Sequence, residues 1–333
     1  MVSMKDIAHR CGVSVATVSK ALNGLPDIGE ETRQRVCAAA EEMGYMTNSA
    51  ARALKTRRTY NLGILFVDER RSGLSHEYFS SIIEGFKQEA EVHGYDITFI
   101  NSHVGNQPIS YLRHCRYRGL DGILIACVDF SDPRVVELVQ SDIPVVTIDH
   151  IFPDRQAILS DNVDGLETLV HYAYEQGHRR IAFLHGEESA VTKGRLTGFY
   201  KACEELGIQV PPEYVIPCVY HDPDRCAVAT RRLLALPERP TCVIFPDDYS
   251  FLGGYNALTE AGLRMPEDVS ALGYDGINLA RMMRLTTYTQ KAMTIGCTSA
   301  QKLIALVEDP DSVDKVPILI HGGLQEGISV KKL

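Results

Sequence analysis

MKDIAHRCGVSVATVSKALNG, residues 4–24, decides how the rest of this 333-residue chain is read. Ser3 and Asp6 match the S-x-x-[DE] capping pattern, in which a hydroxyl and a carboxylate satisfy amides that a helix start leaves unpaired. Ile7, Ala8 and Cys11 then share one face of a short helix that Gly12 stops. Ser14 can cap a second helix, Val15 to Leu22, because its hydroxyl accepts an orphan amide. Asn23-Gly24 ends that helix and Pro26 prevents its continuation. ETRQRVCAAAEEMGY (31–45) supplies a third, from Glu31 to Met43, with Val36, Ala39, Ala40 and Met43 on one face and Gly44 at its end. Two short helices joined at a glycine and braced by a third predict a helix-turn-helix unit.

The second helix has a face suited to DNA. Val15, Ala16, Thr17, Ser19 and Lys20 are small or polar, while Val18 and Leu22 turn inward. Small residues at a helix start let its backbone approach a major groove, where the first side chains meet base edges. Thr17, Ser19 and Asn23 can donate to phosphate oxygens, which fixes register rather than sequence. Lys20 can reach guanine O6 and N7. The residues alone also permit a plain three-helix packing unit with a solvated polar face.

Charge leans the same way without deciding the matter. The chain carries a net −9, yet residues 1–60 hold nine Lys/Arg against six Asp/Glu, so the remainder carries −12. A basic module on an acidic body fits a small polyanion-binding head tethered to something larger. Between the two lies NSAARALK (48–55), too short to be a stable helix alone. Leu54 is its one large apolar residue, and such a residue on a basic helix can wedge between base pairs and kink a duplex.

The totals describe an ordinary globular protein: 45% apolar and 23% charged, with 26 Gly and 15 Pro. The longest apolar runs, LGILFV (62–67) and GILIACV (122–128), are strand-sized and far short of a membrane span. MVSMKDIAHR lacks the apolar region of a secretory signal. Nine cysteines, an odd number with no CxxC pair, argue against a disulfide framework and for a reducing cytoplasm.

From Asn61 the pattern alternates between strand and helix. Strands fit 61–67, 95–102, 120–128 and 144–149, with helices at 79–94, around 108–117 and near 132–141. After a crossover around 157–161 the alternation repeats. Helices fit 163–177, 195–207, 224–236 and 249–262; strands fit 180–186, 214–219, 241–247 and 269–275. Continuous apolar strands alternating with helices predict parallel sheets covered on both faces, here in two similar subdomains. Ligands of such sheets bind beyond the strands' carboxyl ends. That rule selects Asp149, Asp247, Asp248 and Asp275, whose carboxylates can accept paired hydrogen bonds from hydroxyl- or N–H-rich ligands. Strand-end acids also serve as turn formers and helix caps. No GxGxxG follows a strand and there is no P-loop, so no nucleotide cofactor is implied. The eleven histidines form no HxxxH or HExxH, and no nucleophile–base pair stands out, so neither a metal nor a catalytic set is expected.

Residues 4–24 resemble the signature of the lactose/galactose-repressor family of bacterial transcription regulators, through D-I-A, G-V-S, T-V-S and L-N. Residues 31–45 resemble that family's third helix and NSAARALK its hinge helix. Weaker resemblance continues through SHEYFSSIIEGFKQEAEVHGY, PVVTID, SDNVDG, GHRRIAFLHG, GRLTGFYKACEELGI, LGYDG and LTTYTQ, segments of an effector domain similar to periplasmic sugar-binding proteins. The resemblance implies that Val15 and Ala16 read bases, that Lys20 contacts a base, and that Ser14, Thr17, Ser19 and Asn23 face DNA. It implies that Asn48, Ala51, Leu54 and Lys55 of the hinge do so in the minor groove. The effector cleft then draws on Tyr78, Phe79, Asp149, Arg195, Asp247 and Asp275, with Arg195 holding ligand oxygens bidentately. The implied domains are a DNA-binding head (1–46), a hinge helix (47–57) and an effector and dimerisation domain (58–333). The last divides into one subdomain of about 60–160 and 291–323 and another of about 161–290 and 324–333.

Four positions depart from the family pattern. Asp247 stands where sugar-binding relatives often have Asn, Phe251 where a small residue is usual, Glu77 for a usual Pro, and Gly327 for a usual Arg. The added charge at 247 disfavours phosphorylated or carboxylated ligands. The expected protein is therefore a cytoplasmic, homodimeric repressor of a pseudo-palindromic operator. A small ligand controls it, a sugar first, with a nucleobase or a protein corepressor as alternatives. A free sugar receptor would need a signal peptide and no head; an enzyme would need a catalytic set.

Overall fold

The structure, a computed structural model, describes residues 2–22, 24–45, 58–67, 73–311 and 314–333. They form two compact units, Met1–Thr59 and Tyr60–Leu333.

The first unit is α1 (Met4–Cys11), α2 (Val15–Leu22) and α3 (Glu30–Glu42). Ser3 donates to Asp6 Oδ2 through both its amide (2.8 Å) and its hydroxyl (2.7 Å), closing the start of α1. Gly12 ends α1 at φ 64°, a conformation that favours glycine. The Thr17 amide donates to Ser14 Oγ at 3.0 Å and starts α2. Ile7, Val18 and Val36 are fully buried, with Ala8, Ala21, Ala39 and Ala40 around them. Alanines at these positions let three short helices close on so small a core.

The second unit holds two six-stranded sheets. The first contains β1 (Asn61–Phe66), β2 (Asp96–Phe99), β5 (Gly122–Ala126), β6 (Val145–Ile148), β7 (Gln156–Ser160) and β13 (Ile318–Ile320), in the order β13-β7-β6-β5-β1-β2. The second contains β8 (Ile181–His185), β9 (Val215–Pro217), β10 (Cys242–Ile244), β11 (Ser270–Asp275), β12 (Thr286–Thr289) and β14 (Gly323–Gln325), in the order β14-β12-β11-β10-β8-β9. A small hairpin, β3 (His103–Val104) with β4 (Gln107–Pro108), lies outside both. All pairs in the two large sheets are parallel except β12–β14. In each, the first strand of the half lies between the second and the next, so the winding reverses beside it. In open parallel sheets, ligands bind at such a reversal, beyond the carboxyl ends of the strands.

The helices are α4 (Glu77–Val92), α5 (Tyr111–Arg118), α6 (Pro133–Val139), α7 (Asn162–Glu175), α8 (Ala190–Glu205), α9 (Pro223–Leu234), α10 (Phe251–Glu260), α11 (Asn278–Met283) and α12 (Ala292–Glu308). Most lie within a few residues of their expected spans. Helix α8 starts five residues before the expected Arg195, because Ser189 Oγ caps it by accepting the Thr192 amide at 3.1 Å. The periodicity did not single out α11, β12, α12, β13 or β14. The expected crossover around 157–161 is largely strand β7, which pairs with β6 and β13 before the chain passes to the second sheet.

Helix α12 carries the chain back to the first sheet, where it packs on α4 with almost no space between backbones. A Cβ on Gly296 would stand 2.0 Å from the Ile82 carbonyl oxygen, and one on Gly85 2.3 Å from that of Met293. Gly296→Val must push the two helices apart. The expected loss is about 1–3 kcal/mol, read as a lower urea midpoint at unchanged slope; an unaltered midpoint would contradict the close crossing.

Candidate functional site

Ser14, just before α2, is exposed; on α2 itself Ala16 and Lys20 are exposed, Val15 is 42% exposed, and Thr17 and Ser19 are half-buried. Val18 and Ala21 occupy the opposite, buried side. The head thus presents the small and polar residues together, on one helix face. Lys20 Nζ lies 2.5 Å from Asp27 Oδ2, with both side chains about half exposed. The hydrogen bond from Lys20 holds the Asp27 carboxyl below its usual range. An exposed pair of this kind is easily exchanged for a phosphate or base contact. Asn23, Asn48, Ala51, Leu54 and Lys55 lie outside the described residues.

In the larger unit, polar side chains from both subdomains close a ring at the strands' carboxyl ends. Tyr78, on the first turn of α4, places its hydroxyl 3.0 Å from Ser160 Oγ and donates to Gln290 Oε1 at 3.3 Å. Gln290 Nε2 donates to Asp275 Oδ1 at 2.7 Å. Asp275 Oδ1 lies 3.8 Å from Arg195 Nη2. Arg195 Nε donates to Asn162 Oδ1 at 2.9 Å, and Asn162 Nδ2 returns to the Ser160 carbonyl at 3.2 Å. Asp149 attaches to the ring at Ser160, accepting its amide at 2.6 Å and its hydroxyl at 3.3 Å. Ser160, Asn162 and Gln290 sit where the chain passes between the two sheets, so the ring joins their carboxyl ends.

Arg195 is the centre of this arrangement and is 4% exposed. Nη1 donates to the Pro246 carbonyl at 2.7 Å, and the guanidinium lies 3.6 Å over the Tyr274 ring and 5.2 Å from that of Tyr220. Burial opposes its charge, but Tyr220, Tyr274 and Asp275 together hold it protonated. Burial also raises the carboxyls of Asp149 and Asp275 above their ordinary value, and the Tyr78 hydroxyl well above its own. Arg195 pulls Asp275 the other way, but at 3.8 Å it is too far to reverse that shift.

Asp247 is held by three hydrogen bonds within its own subdomain. Its carboxylate accepts the Ser250 amide at 2.7 Å, the Ser250 hydroxyl at 2.8 Å and the His221 amide at 2.8 Å. Three donors make it a brace for the loop carrying Tyr220 and His221, while its charge still adds to the rise that burial gives the Asp275 carboxyl. Phe251 likewise packs in the core against Phe245, with ring centroids 5.5 Å apart.

Above the ring, residues 76–78 each reach the other subdomain. The His76 ring stacks on His221 at 4.2 Å, and His221 stacks on Tyr249 at 4.0 Å. Phe79 meets the edge of His76 at 4.9 Å. Glu77 Oε1 accepts the Asn278 amide at 2.7 Å, a bond the usual proline at that position has no side chain to make. Four non-glycine residues at or just after strand ends around the cleft have positive φ: Cys127, Asp149, His221 and Asp275. Strain of that kind clusters at functional sites. The sequence reading missed Ser160, Asn162 and Gln290 as site residues, although SDNVDG and LTTYTQ contain all three.

A three-helix head with an exposed small-residue face, joined to two doubly wound subdomains around a polar cleft, defines a ligand-responsive DNA-binding regulator. The comparisons place it more narrowly. Residues 3–48 match the model of bacterial regulatory proteins of the lacI family, and residues 61–321 that of periplasmic binding proteins and the sugar-binding domain of the LacI family. The chain is 32% identical to the HTH-type transcriptional repressor PurR of Escherichia coli over 335 aligned positions, covering 96% of each chain. It belongs to the LacI family and is a DNA-binding transcription regulator rather than an enzyme. The fold agrees with that of the lac repressor dimer bound to operator and the anti-inducer ONPF (TM-score 0.80, 24% identity, 99% of each chain). It also agrees with the regulator CelR in its cellobiose complex (TM-score 0.71, 23% identity, 99% of this chain and 100% of that one). Among the described residues no helix is long and apolar enough to cross a membrane.

Proposed function

We propose that this regulator represses transcription in the cytoplasm as a homodimer on a pseudo-palindromic operator, and that a neutral sugar bound in the cleft controls it. The domain limits proposed are those expected from the sequence, with a hinge at 47–57 and the cleft between the two subdomains of 58–333. The observation that carries the ligand class is the ring through Tyr78, Ser160, Asn162, Arg195, Asp275 and Gln290. It alternates donors and acceptors as the hydroxyls of a sugar do, and the burial that raises its carboxyls disfavours bringing in a further charge. The stack of His76, His221 and Tyr249 supports a second reading, a planar nucleobase, since flat rings pair face to face.

A thermal-shift titration of the full chain against neutral mono- and disaccharides, nucleobases and sugar phosphates separates these. A ligand at a hundredfold its Kd adds about 2.7 kcal/mol. Tightest binding by a sugar phosphate would overturn both readings. For the DNA half, operator affinity is expected to fall steeply with salt, each phosphate contact contributing about 0.9 to the log–log slope. Leu54→Ala should weaken the specific complex by about 1 kcal/mol or more while leaving ligand affinity alone. An operator titration that finds the variant unchanged removes the wedge role from Leu54.

A further inference from the structure

Asp275 has the most unusual backbone of the cleft carboxylates, with φ at 105°. Side chains other than glycine are strained there, and something must hold the residue in place. A single residue in the loop after β10, Asp248, brackets it with its side chain and its own amide. The Asp248 amide donates to the Tyr274 carbonyl at 2.8 Å, just before Asp275. Asp248 Oδ2 accepts the amides of Gly276 (2.7 Å) and Ile277 (3.0 Å), just after it. Oδ1 accepts the Thr287 hydroxyl at 2.7 Å, which ties the bracket to β12. Asp248 is 0% exposed. The space for its carboxylate comes from Gly273, where a Cβ would stand 2.1 Å from Asp248 Oδ1.

We infer that Asp248 is the positioning residue of the cleft: it touches no ligand, and it holds Asp275 in the conformation that aims its carboxylate at Gln290 and Arg195. The consequence for binding rests on the cleft being the ligand site; the bracket itself does not. Thr287 and the two amides are its only hydrogen-bond donors among the described residues, while Asp247 and Asp275 are the acids that face it. An amide at position 248 keeps one oxygen for both backbone donors. A methyl group keeps none.

The test reads the side-chain amide resonance of Gln290 by 15N NMR in the full chain without ligand, because Gln290 Nε2 reports directly on the Asp275 carboxylate. Asp248→Ala is expected to move that resonance by more than its linewidth, and Asp248→Asn to restore it. Leu258→Ala, a core cavity elsewhere in the same subdomain, controls for lost stability and should leave the resonance in place. Should Asp248→Ala not fold, Asp248→Glu keeps the charge, misplaces it by one methylene, and should move the signal as well. A resonance unmoved in the Ala or Glu variant, or moved as far by Leu258→Ala, overturns the proposal. Cellobiose serves as the binding probe: if it binds the parent chain, Asp248→Ala should weaken it roughly tenfold or more, and by much less in an Asp275→Asn background. If cellobiose does not bind the parent, the sugar reading loses support, and the Gln290 signal still decides the bracket.

Discussion

Arg195→Ala is expected to abolish the response to ligand while leaving the head's affinity for DNA in place. The side chain is buried, and its removal strips donors from Asn162 Oδ1 and the Pro246 carbonyl at once. It also takes away the cation facing Asp275 and the contact with the Tyr274 ring. Removing one member of a buried charged set costs about 3–5 kcal/mol, because the partner is left desolvated and uncompensated. Asp275 can shed part of that penalty by taking up a proton, as burial already favours, so the lower end of the range is expected. Arg195→Lys should fare little better. An ammonium is a point charge, and it lacks the planar fork that reaches Asn162 and Pro246 together. The measurements are the urea midpoint and the ligand-induced change in operator affinity. A variant whose operator affinity still responds normally would remove Arg195 from the cleft.

The head was legible because its signals are local. A hydroxyl three residues before an amide, a glycine where φ must be positive and alanines at helical spacing each act within a turn or two. The alternation of the body was legible for a similar reason, since burial on both faces leaves unbroken apolar strands such as GILIA (122–126). The strand-end rule then named four aspartates and had no means of separating them. What separates them is the set of donors within reach, and most of those come from far along the chain. Asp247 takes its donors from Ser250 and from His221; Asp248 takes its own from Gly276, Ile277 and Thr287. Asp149 and Asp275 are left facing the ring. Gln290 joins Asp275 to Tyr78, 212 residues away in sequence, and no periodicity carries that information. Gly327, noted as a departure, has a local cause: any Cβ there would stand 2.0 Å from the Arg284 carbonyl oxygen.

At pH 8 the Asp248→Asn chain is expected to be more stable than its parent, and at pH 5 to have lost most of that advantage. Burial pushes the Asp248 carboxyl up to about 7, outweighing the hydrogen bonds from Thr287, Ile277 and Gly276 that favour its charge, and Asp247 adds to the rise. The ordinary value is 3.8, so between the two the folded chain holds a proton that the unfolded chain has released. Stability from this group is therefore fully present below about 4 and is lost as pH rises through about 7. A gap of this size corresponds to about 4 kcal/mol once the group is ionised. The side-chain amide of the Asp248→Asn variant cannot ionise, so its contribution stays level over the same range. Asp149 and Asp275, also raised by burial, titrate in both proteins. Because the Asp248 charge adds to the rise at Asp275, the difference between the two curves reads position 248 together with its effect on Asp275. Urea midpoints at pH 5, 6, 7 and 8 provide the check. The gap between variant and parent should widen with pH from about 4 to about 7 and level off above that, and a constant gap would show that the carboxyl does not titrate in that window. Because the Asp248→Asn side chain keeps an oxygen for Gly276 and Ile277, the added stability should come with the Gln290 resonance unmoved. The cost of charge at position 248 and the hold on Asp275 are then separate properties of one side chain, and the two measurements read them independently.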